Sequence, residues 1–514
     1  MTASLISLLI GQVLFARAYG GADYDYVGSI AQNQDGGYII AGSTSGFGAG
    51  AYDCLVLKID SDGTIDWAKT FGGQSNDGAV SVIKTMDGGY AVAGRTWSFG
   101  AGLYDFLVFK LDPSGNLSWA KTFGGTDEER AYSIVQTQDG GYAVAGFTYS
   151  FGAGECDFLV IRLDASGNLL WAKTFGGPGT MDEEKAYSIV QTQDGGYAVA
   201  GFTYSFGAGW DFLVIKLDAS GNLSWAKKFG GTDYEEAWSI IQTTDQGYAV
   251  VGRTYSFGAG DNDLLFVKLD PSGNLSLAKT FGGTRWDGAY SIIQTVDGGY
   301  AVAGYTESLG TGGDFLVLKL DPSGNPSWTR TFGGTSSDLA SSVIQTADGG
   351  YAVAGYTWSF SAGMEDFFVL RLDRNGNYPG CVQESSLTVM SPPLNAISSP
   401  IIVNDASPLS LDPAIAITAS ALTVKDACAS QDVKELNPKS PNQGITCSFV
   451  PGAMLVNSPD AMRIKIYSPN GQILYSGEIK KGQNRIPLGA GAYIWIVGTI
   501  EGNSPVYKGK AVVK

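Results

Sequence analysis

Carboxylates recur at one fixed position of a repeated segment in this chain, and carboxylates can act as general acids and bases or bind cations. The seven that share the position are Asp25, Asp77, Glu129, Glu184, Glu235, Asp287 and Asp338. One interpretation is an acidic ring around a channel that binds cations. The alternative is a repeated structural pair or backbone cap, because folding alone would require one copy per repeat. Catalysis by two carboxylates needs two different environments, and these residues recur in equivalent ones.

A second series of side chains suits ligand binding, because aromatic faces stack on sugar rings and on the side chains of protein partners. One residue of this series follows the tyrosine in each copy of a repeated Asp-x-Gly-Tyr motif, and the first copy has Ser45 at that position. The predicted ligand-binding set is Trp97, Tyr149, Tyr204, Tyr255, Glu307 and Trp358. The alternative is that these rings pack against the loop phenylalanine that follows.

Several kinds of chemistry are excluded or disfavoured by composition. The chain has 514 residues, no histidine and a net charge of −17, so imidazole chemistry is excluded and nucleic acid is not an expected partner. No nucleophile elbow, P-loop or Cys/His cluster occurs. We therefore predict no catalytic residue, no metal and no cofactor. Residues 60–64 and 373–377 resemble calcium loops but lack the later acidic ligand, and we interpret them as turns.

The chain is built from seven copies of one segment. The tyrosines of the Asp-x-Gly-Tyr motif, Tyr38 to Tyr351, are spaced by 51 to 55 residues, which indicates a repeat architecture. The copy at residues 131–175 contains four runs rich in β-branched and aromatic residues, AYSIVQT, YAVAGFT, DFLVIRL and LLWAKTF. Glycine-containing turns join the first pair and the last pair. Each copy is thus predicted to be a four-stranded antiparallel meander.

Side-chain size favours a propeller over a stacked solenoid. The first two strands of each copy carry small residues and the last two carry large ones, as a blade that fans out from a central axis requires. Four strands in about 52 residues also match a propeller blade. The predicted fold is all-β: a seven-bladed β-propeller of four-stranded antiparallel blades at residues 14–377, followed by a small C-terminal Ig-like β-sandwich.

The N-terminus has two interpretations. Residues 1–13 form an apolar segment, and Ala16-Arg17-Ala18 resembles the cleavage site of a secretory signal. However, residues 15–21 also align with the fourth strand of a repeat, and the seventh copy lacks that strand. An N-terminal strand that completes the last blade would close the ring and remove an exposed edge.

The repeat resembles the tandem β-propeller repeats of secreted bacterial and archaeal proteins, with the pattern W-x-K-x-F-G-G followed by D-G-G-Y. Its hairpins are also similar to those of quinoprotein blades, in which a tryptophan docks onto the adjacent blade. That likeness assigns the docking role to Trp67, Trp119, Trp171, Trp225 and Trp328, with Phe15 and Leu277 as substitutes. The resemblance implies a fold and secretion, and no reaction.

The sequence changes character after the repeats. Residues 378–436 are rich in Ser and Pro and are interpreted as a linker or partly extended stalk, or as an irregular β segment. Cys381, Cys428 and Cys447 could contribute a disulfide outside the cytoplasm, or could be free thiols, while Cys54 and Cys156 are expected to stay unpaired. Residues 437–514 resemble Ig-like C-terminal domains, in particular type IX secretion sorting domains, through the N-P-x-x-P opening and the I-Y-x-x-x-G-Q turn.

These observations predict an extracellular or cell-surface, non-enzymatic protein that presents a loop face to a glycan or a surface protein. One alternative is a carbohydrate-active hydrolase or lyase that uses loop-face acids such as Glu307 and Glu184. Another is a self-assembling subunit of a surface layer or filament. No transmembrane segment is expected, because the apolar run is too short to span a bilayer.

Overall fold

The structure is a computed structural model. It describes residues 13–177, 179, 182–205, 209–310, 312–378, 387 and 390 in full, together with the backbone of short strands between residues 383 and 512. Every regular element in these ranges is a β-strand. The chain divides into two compact units, with the boundary between Asp432 and Val433.

The first unit contains seven antiparallel sheets that each begin with a four-stranded meander. The strand that completes the seventh blade is β1 (Phe15–Gly20). The strands of blades 1 to 3 are β2 (Asp25–Gln32), β3 (Tyr38–Thr44), β4 (Asp53–Ile59), β5 (Ile65–Gly72), β6 (Asp77–Lys84), β7 (Tyr90–Thr96), β8 (Asp105–Leu111), β9 (Leu117–Gly124), β10 (Glu129–Gln136), β11 (Tyr142–Thr148), β12 (Asp157–Leu163) and β13 (Leu169–Gly176). Those of blades 4 to 7 are β14 (Glu184–Gln191), β15 (Tyr197–Thr203), β16 (Asp211–Leu217), β17 (Leu223–Phe229), β18 (Glu235–Gln242), β19 (Tyr248–Thr254), β20 (Asp263–Leu269), β21 (Leu275–Gly282), β22 (Asp287–Gln294), β23 (Tyr300–Thr306), β24 (Asp314–Leu320), β25 (Pro326–Phe332), β26 (Asp338–Gln345), β27 (Tyr351–Thr357) and β28 (Asp366–Leu372).

These sheets form a seven-bladed β-propeller, as the repeats predicted. The first strand of each blade is innermost and contacts the first strands of both neighbouring blades, so the seven first strands surround a central channel. The third strands are buried along their whole length or nearly so, because each sheet is covered on both faces by its neighbours. We call the face formed by the second-to-third strand loops and the blade-to-blade loops the loop face.

The first strand of the chain closes the ring. Strand β1 pairs antiparallel with β28, with Arg17 opposite Val369 and Tyr19 opposite Phe367. The prediction that residues 15–20 serve as the missing fourth strand of blade 7 is confirmed. Residues 1–12, and with them the predicted signal segment, lie outside the described residues.

A ring of hydrogen bonds joins the blades around the channel. In blade 3, the backbone N–H of Ile134 donates to Ser81 Oγ of blade 2 at 3.4 Å. The equivalent bond recurs between every pair of neighbours, including Ile30 N–H to Ser342 Oγ at 3.4 Å, which crosses the closure from blade 1 to blade 7. These bonds satisfy backbone donors that the innermost strands leave unpaired.

The tryptophan docking implied by the sequence is confirmed. The Trp119 ring of blade 2 lies 5.7 Å from the Tyr142 ring of blade 3 in an edge-to-face arrangement. It also packs under the turn at Gly167, where a Cβ would lie 2.8 Å from the indole. Equivalent contacts are made by Trp67, Trp171, Trp225 and Trp328, with Phe15 and Leu277 in the remaining blades.

The hairpin turns have the backbone geometry that their glycines permit. Gly140 and Gly167, in the two turns of blade 3, have φ of 86° and 81°, in the left-handed region that glycine adopts without strain. Blade 5 carries Gln246 at the position of Gly140, and its φ is 66°. A side chain in that conformation is strained by about 1 kcal/mol.

Seven short strands follow the propeller and add a fifth, outermost strand to every blade. They are β29 (Gln383–Glu384), β30 (Thr388–Met390), β31 (Ile397–Ser398), β32 (Ile402–Asp405), β33 (Leu409–Leu411), β34 (Ala416–Ala419) and β35 (Thr423–Asp426). They pair in order with blades 6, 5, 4, 3, 2, 1 and 7, so this segment runs once around the rim of the propeller against the direction of the blades. We call it the belt. The sequence left a partly extended stalk or an irregular β segment open for these residues, and the short strands match the second, although the Ser/Pro-rich composition did not reveal which strands they pair with.

The second unit contains two antiparallel sheets. One has the order β36–β37–β40 and the other β39–β38–β41–β42, where the strands are β36 (Thr446–Val450), β37 (Ala453–Ser458), β38 (Met462–Tyr467), β39 (Ile473–Ile479), β40 (Gly482–Pro487), β41 (Tyr493–Thr499) and β42 (Pro505–Val512). The side chains of this unit lie outside the described residues, as do those of Cys381, Cys428 and Cys447. The Ig-like sorting domain and the disulfide therefore stay predictions.

Candidate functional site at the loop-face mouth of the channel

The predicted acidic ring lies at the loop face, where the first strand of each blade begins. All seven carboxylates are buried, with at most 2% of each residue exposed. In blade 3, Glu129 accepts hydrogen bonds from Thr148 Oγ1 at 2.6 Å and from the backbone N–H of Gly125 at 2.7 Å. The glycine bond recurs in all seven blades. Each carboxylate thus closes the loop that leads into its own blade.

The basic residues of the fourth strands lie away from this ring. Lys69 Nζ donates to the Ser114 and Gly115 carbonyls and to Asn116 Oδ1, which belong to a turn of the next blade. That turn lies on the face opposite the loop face. Of the two structural roles left open by the sequence, the hydrogen bonds match the backbone cap.

A second set of buried carboxylates was missed by the sequence analysis. The first residue of every third strand is an aspartate that is at most 4% exposed, and the set is Asp53, Asp105, Asp157, Asp211, Asp263, Asp314 and Asp366. In blade 2, Asp105 Oδ2 accepts the backbone N–H of Ala101 at 2.7 Å. A Cβ at Gly124 would lie 1.6 Å from Asp105 Oδ1 and 2.7 Å from Glu129 Oε2. Two buried carboxylates therefore flank this glycine, and the aspartate that begins every third strand was the available signal.

The crowding of these carboxylates changes their acidity. Burial, together with the charge of the neighbouring Glu129, raises the pKa of Asp105 from 3.8 to about 6. Burial likewise raises the pKa of Asp157 to about 6 and that of Asp25 to about 7, with the charges of Glu184 and Asp366 adding to the effect. The described residues supply no hydrogen bond to Asp105 Oδ1 or Asp157 Oδ1.

Blade 4 departs from this pattern. Lys228 stands where blades 1, 2 and 3 have threonine, and its Nζ lies 2.6 Å from Asp211 Oδ2. Both side chains are nearly buried, with 12% and 2% exposed. Burial raises the pKa of Asp211, and the Lys228 ammonium acts in the opposite direction. Blade 4 can therefore be compared with blades 2 and 3, in which no lysine among the described residues neutralises the paired carboxylates.

The predicted aromatic series lies along the loop face. Trp97 and Tyr204 are 47% exposed and Trp358 is 38% exposed. The Trp97 ring lies 5.3 Å from Tyr104, and Tyr149 OH donates to Glu183 Oε1 at 3.3 Å. The Tyr255 ring lies 6.1 Å from Tyr234, edge to face. These contacts fix the orientation of the rings and leave part of their surface open.

Glu307 and Glu184 have different surroundings. Glu307 Oε2 lies 3.8 Å from Arg285 Nη2 in a partly exposed ion pair. Glu184 is fully buried and accepts hydrogen bonds from Thr203 Oγ1, Ser205 Oγ and the backbone N–H of Gly177. The hydrogen-bonding capacity of Glu184 is therefore used within its own blade.

The residues that line the channel differ from blade to blade, and sequence reasoning did not single them out. A β-bulge in each first strand leaves one extra residue, and these residues are Gly28, Val80, Tyr132, Tyr187, Trp238, Tyr290 and Ser341. Tyr187 and Trp238 stack with their centroids 4.0 Å apart, while Tyr132 and Tyr290 contact them edge to face. The four aromatic rings fill one side of the channel, beside blades 3 to 6.

Metal ligation and thiol chemistry find little support in the described ranges. No three His, Cys, Asp or Glu side chains there form a group that could hold a metal ion. Asp60 Oδ1 accepts the backbone N–H groups of Asp62 and Thr64, as expected for a turn. Cys54 and Cys156 are buried free thiols, and burial raises the pKa of each well above its usual value. No helix in the described part of the chain is long and apolar enough to cross a membrane.

The chain matches no protein-family model. It is 27% identical over 318 residues to the regulatory protein FlaEY of Caulobacter vibrioides, a match that covers 55% of this chain and 32% of that protein. The chain therefore spans only about a third of the length of this relative.

Two solved propellers are similar in structure at low sequence identity. Sqt1 from Chaetomium thermophilum has a TM-score of 0.41 and 14% identity, and the match covers 74% of this chain and 89% of Sqt1. The WD40 β-propeller domain of Doa1 has a TM-score of 0.41 and 11% identity, with 69% and 96% covered. The assignment of this fold rests on the strand order described above.

Proposed function

We infer that this protein is a non-enzymatic binding protein that presents the loop-face mouth of its propeller to a glycan or a protein partner. The observation that carries this proposal is the row of partly exposed aromatic rings on the loop face, with Trp97, Tyr204 and Trp358 each more than a third exposed. Large rings held in place by neighbours offer flat apolar area at a low cost in conformational entropy. Such rings are typical of binding surfaces.

The hydrolase alternative has weaker support. Hydrolysis by two carboxylates requires both to flank the same scissile bond. Glu184 is fully buried and hydrogen-bonded to Thr203, whereas Glu307 is partly exposed beside Arg285. This difference in access favours binding over hydrolysis by the pair.

The proposal is tested with the full chain on an array of glycans and surface proteins. The triple variant Trp97→Ala, Tyr204→Ala, Trp358→Ala should lose binding by about tenfold or more. The matched control replaces Met86, Leu170 and Val296 by alanine, because these exposed apolar residues lie on the opposite face. Equal binding by both variants would overturn the loop-face site. Turnover of a chromogenic polysaccharide that is lost in Glu307→Gln would instead establish the hydrolase.

The proposed location is extracellular or at the cell surface, with residues 437–514 as the sorting or attachment domain. Support comes from the N-P-x-x-P opening and the strand motifs in the sequence. Self-assembly into a surface layer is the remaining alternative. Electron microscopy of the native cell surface tests it, because an ordered lattice labelled by an antibody to this chain would favour assembly over ligand binding.

A further inference from the structure

A cavity of about 400 Å³ opens at the loop-face mouth between blades 1 and 2. Polar and aromatic side chains dominate its lining, namely Tyr26, Tyr52, Asn76, Asp77, Arg95 and Tyr104. The Trp97 ring contacts Tyr104 at 5.3 Å, so the cavity is continuous with the exposed aromatic row. A volume of this size accommodates a small ligand or one to two sugar units.

The cavity lies where two adjacent blades lack a large channel-lining side chain; blade 7, with Ser341, is the third such blade. Gly28 and Val80 occupy the bulge positions of blades 1 and 2, where blades 3 to 6 have Tyr or Trp. A Cβ at Gly28 would lie 2.1 Å from the Val80 carbonyl oxygen, so the two backbones are in contact below the cavity. The close approach forms its floor.

Arg95 brings a positive charge to this cavity and has no carboxylate partner among the described residues. Its guanidinium lies 5.7 Å from the centre of the Tyr104 ring. In the described part of the chain, no carboxylate lies within ion-pair distance of it.

Blade 5 provides the internal comparison. Arg253 stands at the same repeat position as Arg95, and its Nη2 lies 2.6 Å from Glu236 Oε2 on the neighbouring strand. The residue opposite Arg95 in the same register is Gly78. Blade 2 therefore has the arginine without the carboxylate, because Gly78 stands where blade 5 has Glu236.

The other polar lining groups differ in what they offer a ligand. Asn76 Oδ1 receives no hydrogen bond from the described residues, but it is buried, so we assign it no ligand contact. Asp77 is not open, because its carboxylate accepts from Ser98 Oγ at 2.6 Å and from the backbone N–H of Gly73 at 2.7 Å. Tyr26 OH donates to Glu365 Oε1 at 3.5 Å, and burial raises the pKa values of both Tyr26 and Tyr52.

We propose that this cavity binds the acidic sugar of a uronic-acid-containing glycan, with the sugar carboxylate on Arg95 and the sugar ring against Tyr26 and Tyr52. The guanidinium fork matches a carboxylate in two parallel hydrogen bonds. The Tyr26 and Tyr52 rings lie 6.4 Å apart with their planes inclined by 29°, and together they give an apolar wall. A saccharide fits these features better than a peptide, because it carries flat apolar faces besides its acid. The assignment rests on the proposed loop-face binding function and names its ligand class.

Isothermal titration of the full chain tests the assignment with three probes: a tetrasaccharide of galacturonic acid, the neutral galactose tetrasaccharide and a tetraglutamate peptide. The acidic tetrasaccharide should bind most tightly. Arg95→Gln should weaken it by about 10- to 100-fold, because a charge-assisted pair of hydrogen bonds is lost.

A matched pair of variants at Gly78 separates charge from bulk. Gly78→Glu rebuilds the ion pair of blade 5 and should abolish binding of the acid, while the isosteric Gly78→Gln should retain most of it. Both side chains fit by a rotation of Ser43, whose Oγ lies 2.7 Å from a Cβ at Gly78. Melting temperatures equal to that of the wild type confirm that each variant folds.

The outcomes separate this inference from the broader function. Equal affinity of wild type and Arg95→Gln for the acidic sugar, or a preference for the neutral sugar or the peptide, overturns the assignment of Arg95 and the ligand class. If another glycan or a protein then binds through the row that includes Trp97, the loop-face function still holds. If no ligand binds to the loop face, both proposals fail.

Discussion

The paired buried carboxylates predict that replacing one of them stabilises the propeller. In Asp105→Asn, the amide oxygen can accept the Ala101 N–H that Asp105 Oδ2 accepts at 2.7 Å, and the new N–H₂ group faces the Glu129 carboxylate across Gly124. The variant removes a charge that burial disfavours. We therefore expect Asp105→Asn to raise the free energy of unfolding.

The magnitude follows from the pKa of Asp105. Its folded pKa of about 6 lies above the ordinary value of 3.8, so its contribution to stability is full below pH 3.8 and is lost as the pH rises through 6. The loss is about 3 kcal/mol at pH 8 and about half of that at pH 5. Asp105→Asn should thus be more stable than wild type by up to about 3 kcal/mol at pH 8, and the advantage should shrink as the pH falls.

Urea unfolding, followed by tryptophan fluorescence at pH 5 and pH 8, measures this difference in the free energy of unfolding. Both pH values lie above the isoelectric point of about 4.5. Asp211→Asn is the control, because Lys228 lies 2.6 Å from Asp211 Oδ2. Asp211→Asn leaves Lys228 without its ion-pair partner, which offsets the gain from removing a buried charge, so this variant should gain less stability at pH 8 than Asp105→Asn. The reasoning is refuted if the advantage of Asp105→Asn over wild type is no larger at pH 8 than at pH 5, or if Asp211→Asn gains as much as Asp105→Asn.

Three further predictions concern the turns, the closure and the second unit. Gln246→Gly should stabilise the propeller by about 0.5 to 1 kcal/mol, because glycine adopts a positive φ without strain. Gly140→Gln should destabilise it by a similar amount through backbone strain alone, since a Cβ at Gly140 meets nothing within 4 Å. Thermal melts measure both, and melting temperatures that shift equally in the same direction would contradict the argument. Deleting residues 1–19 removes nearly all of β1, the strand with which both β28 and β35 pair, so this deletion should lower the melting temperature and promote aggregation. Deleting residues 1–12 should do neither. If the chain without residues 1–19 keeps a monomeric sizing profile and an unchanged melting temperature, closure by β1 is disproved. Removing residues 437–514 should leave a soluble propeller with unchanged unfolding while export or surface retention fails; a truncated chain that still reaches the surface would exclude the sorting role.

The parts of the fold that the sequence predicted are those determined by local patterns. The four runs of residues 131–175 have strand periodicity and composition, and glycine turns such as that at Gly140 fix the hairpins between them. Closure was predictable because residues 15–21 align with a fourth strand that the last repeat lacks. The docking of Trp119 onto the next blade followed from a hairpin pattern shared with known propellers.

The features that the sequence did not predict depend on backbone pairing and on position around the ring. The belt pairs with outer strands through main-chain hydrogen bonds, which place little demand on side chains, so a Ser/Pro-rich stretch concealed it. The bulge that directs Tyr132 into the channel is a register shift of one residue and leaves no separate pattern. The second carboxylate of each pair, such as Asp105, resembled an ordinary strand start.

The repeats separate folding requirements from function, because each blade is a control for the others. Positions that carry the same chemistry in all seven blades, such as the glycine-capped acids and the blade-to-blade serines, are explained by the fold alone. Positions that differ between blades are not required by it. Arg95 beside Gly78 is such a position, since the same arginine in blade 5 is neutralised by Glu236. Arg95 is half-buried, lies over the Tyr104 ring and has no carboxylate partner among the described residues, so the fold alone does not account for its charge. We therefore place the search for ligands at blades 1 and 2.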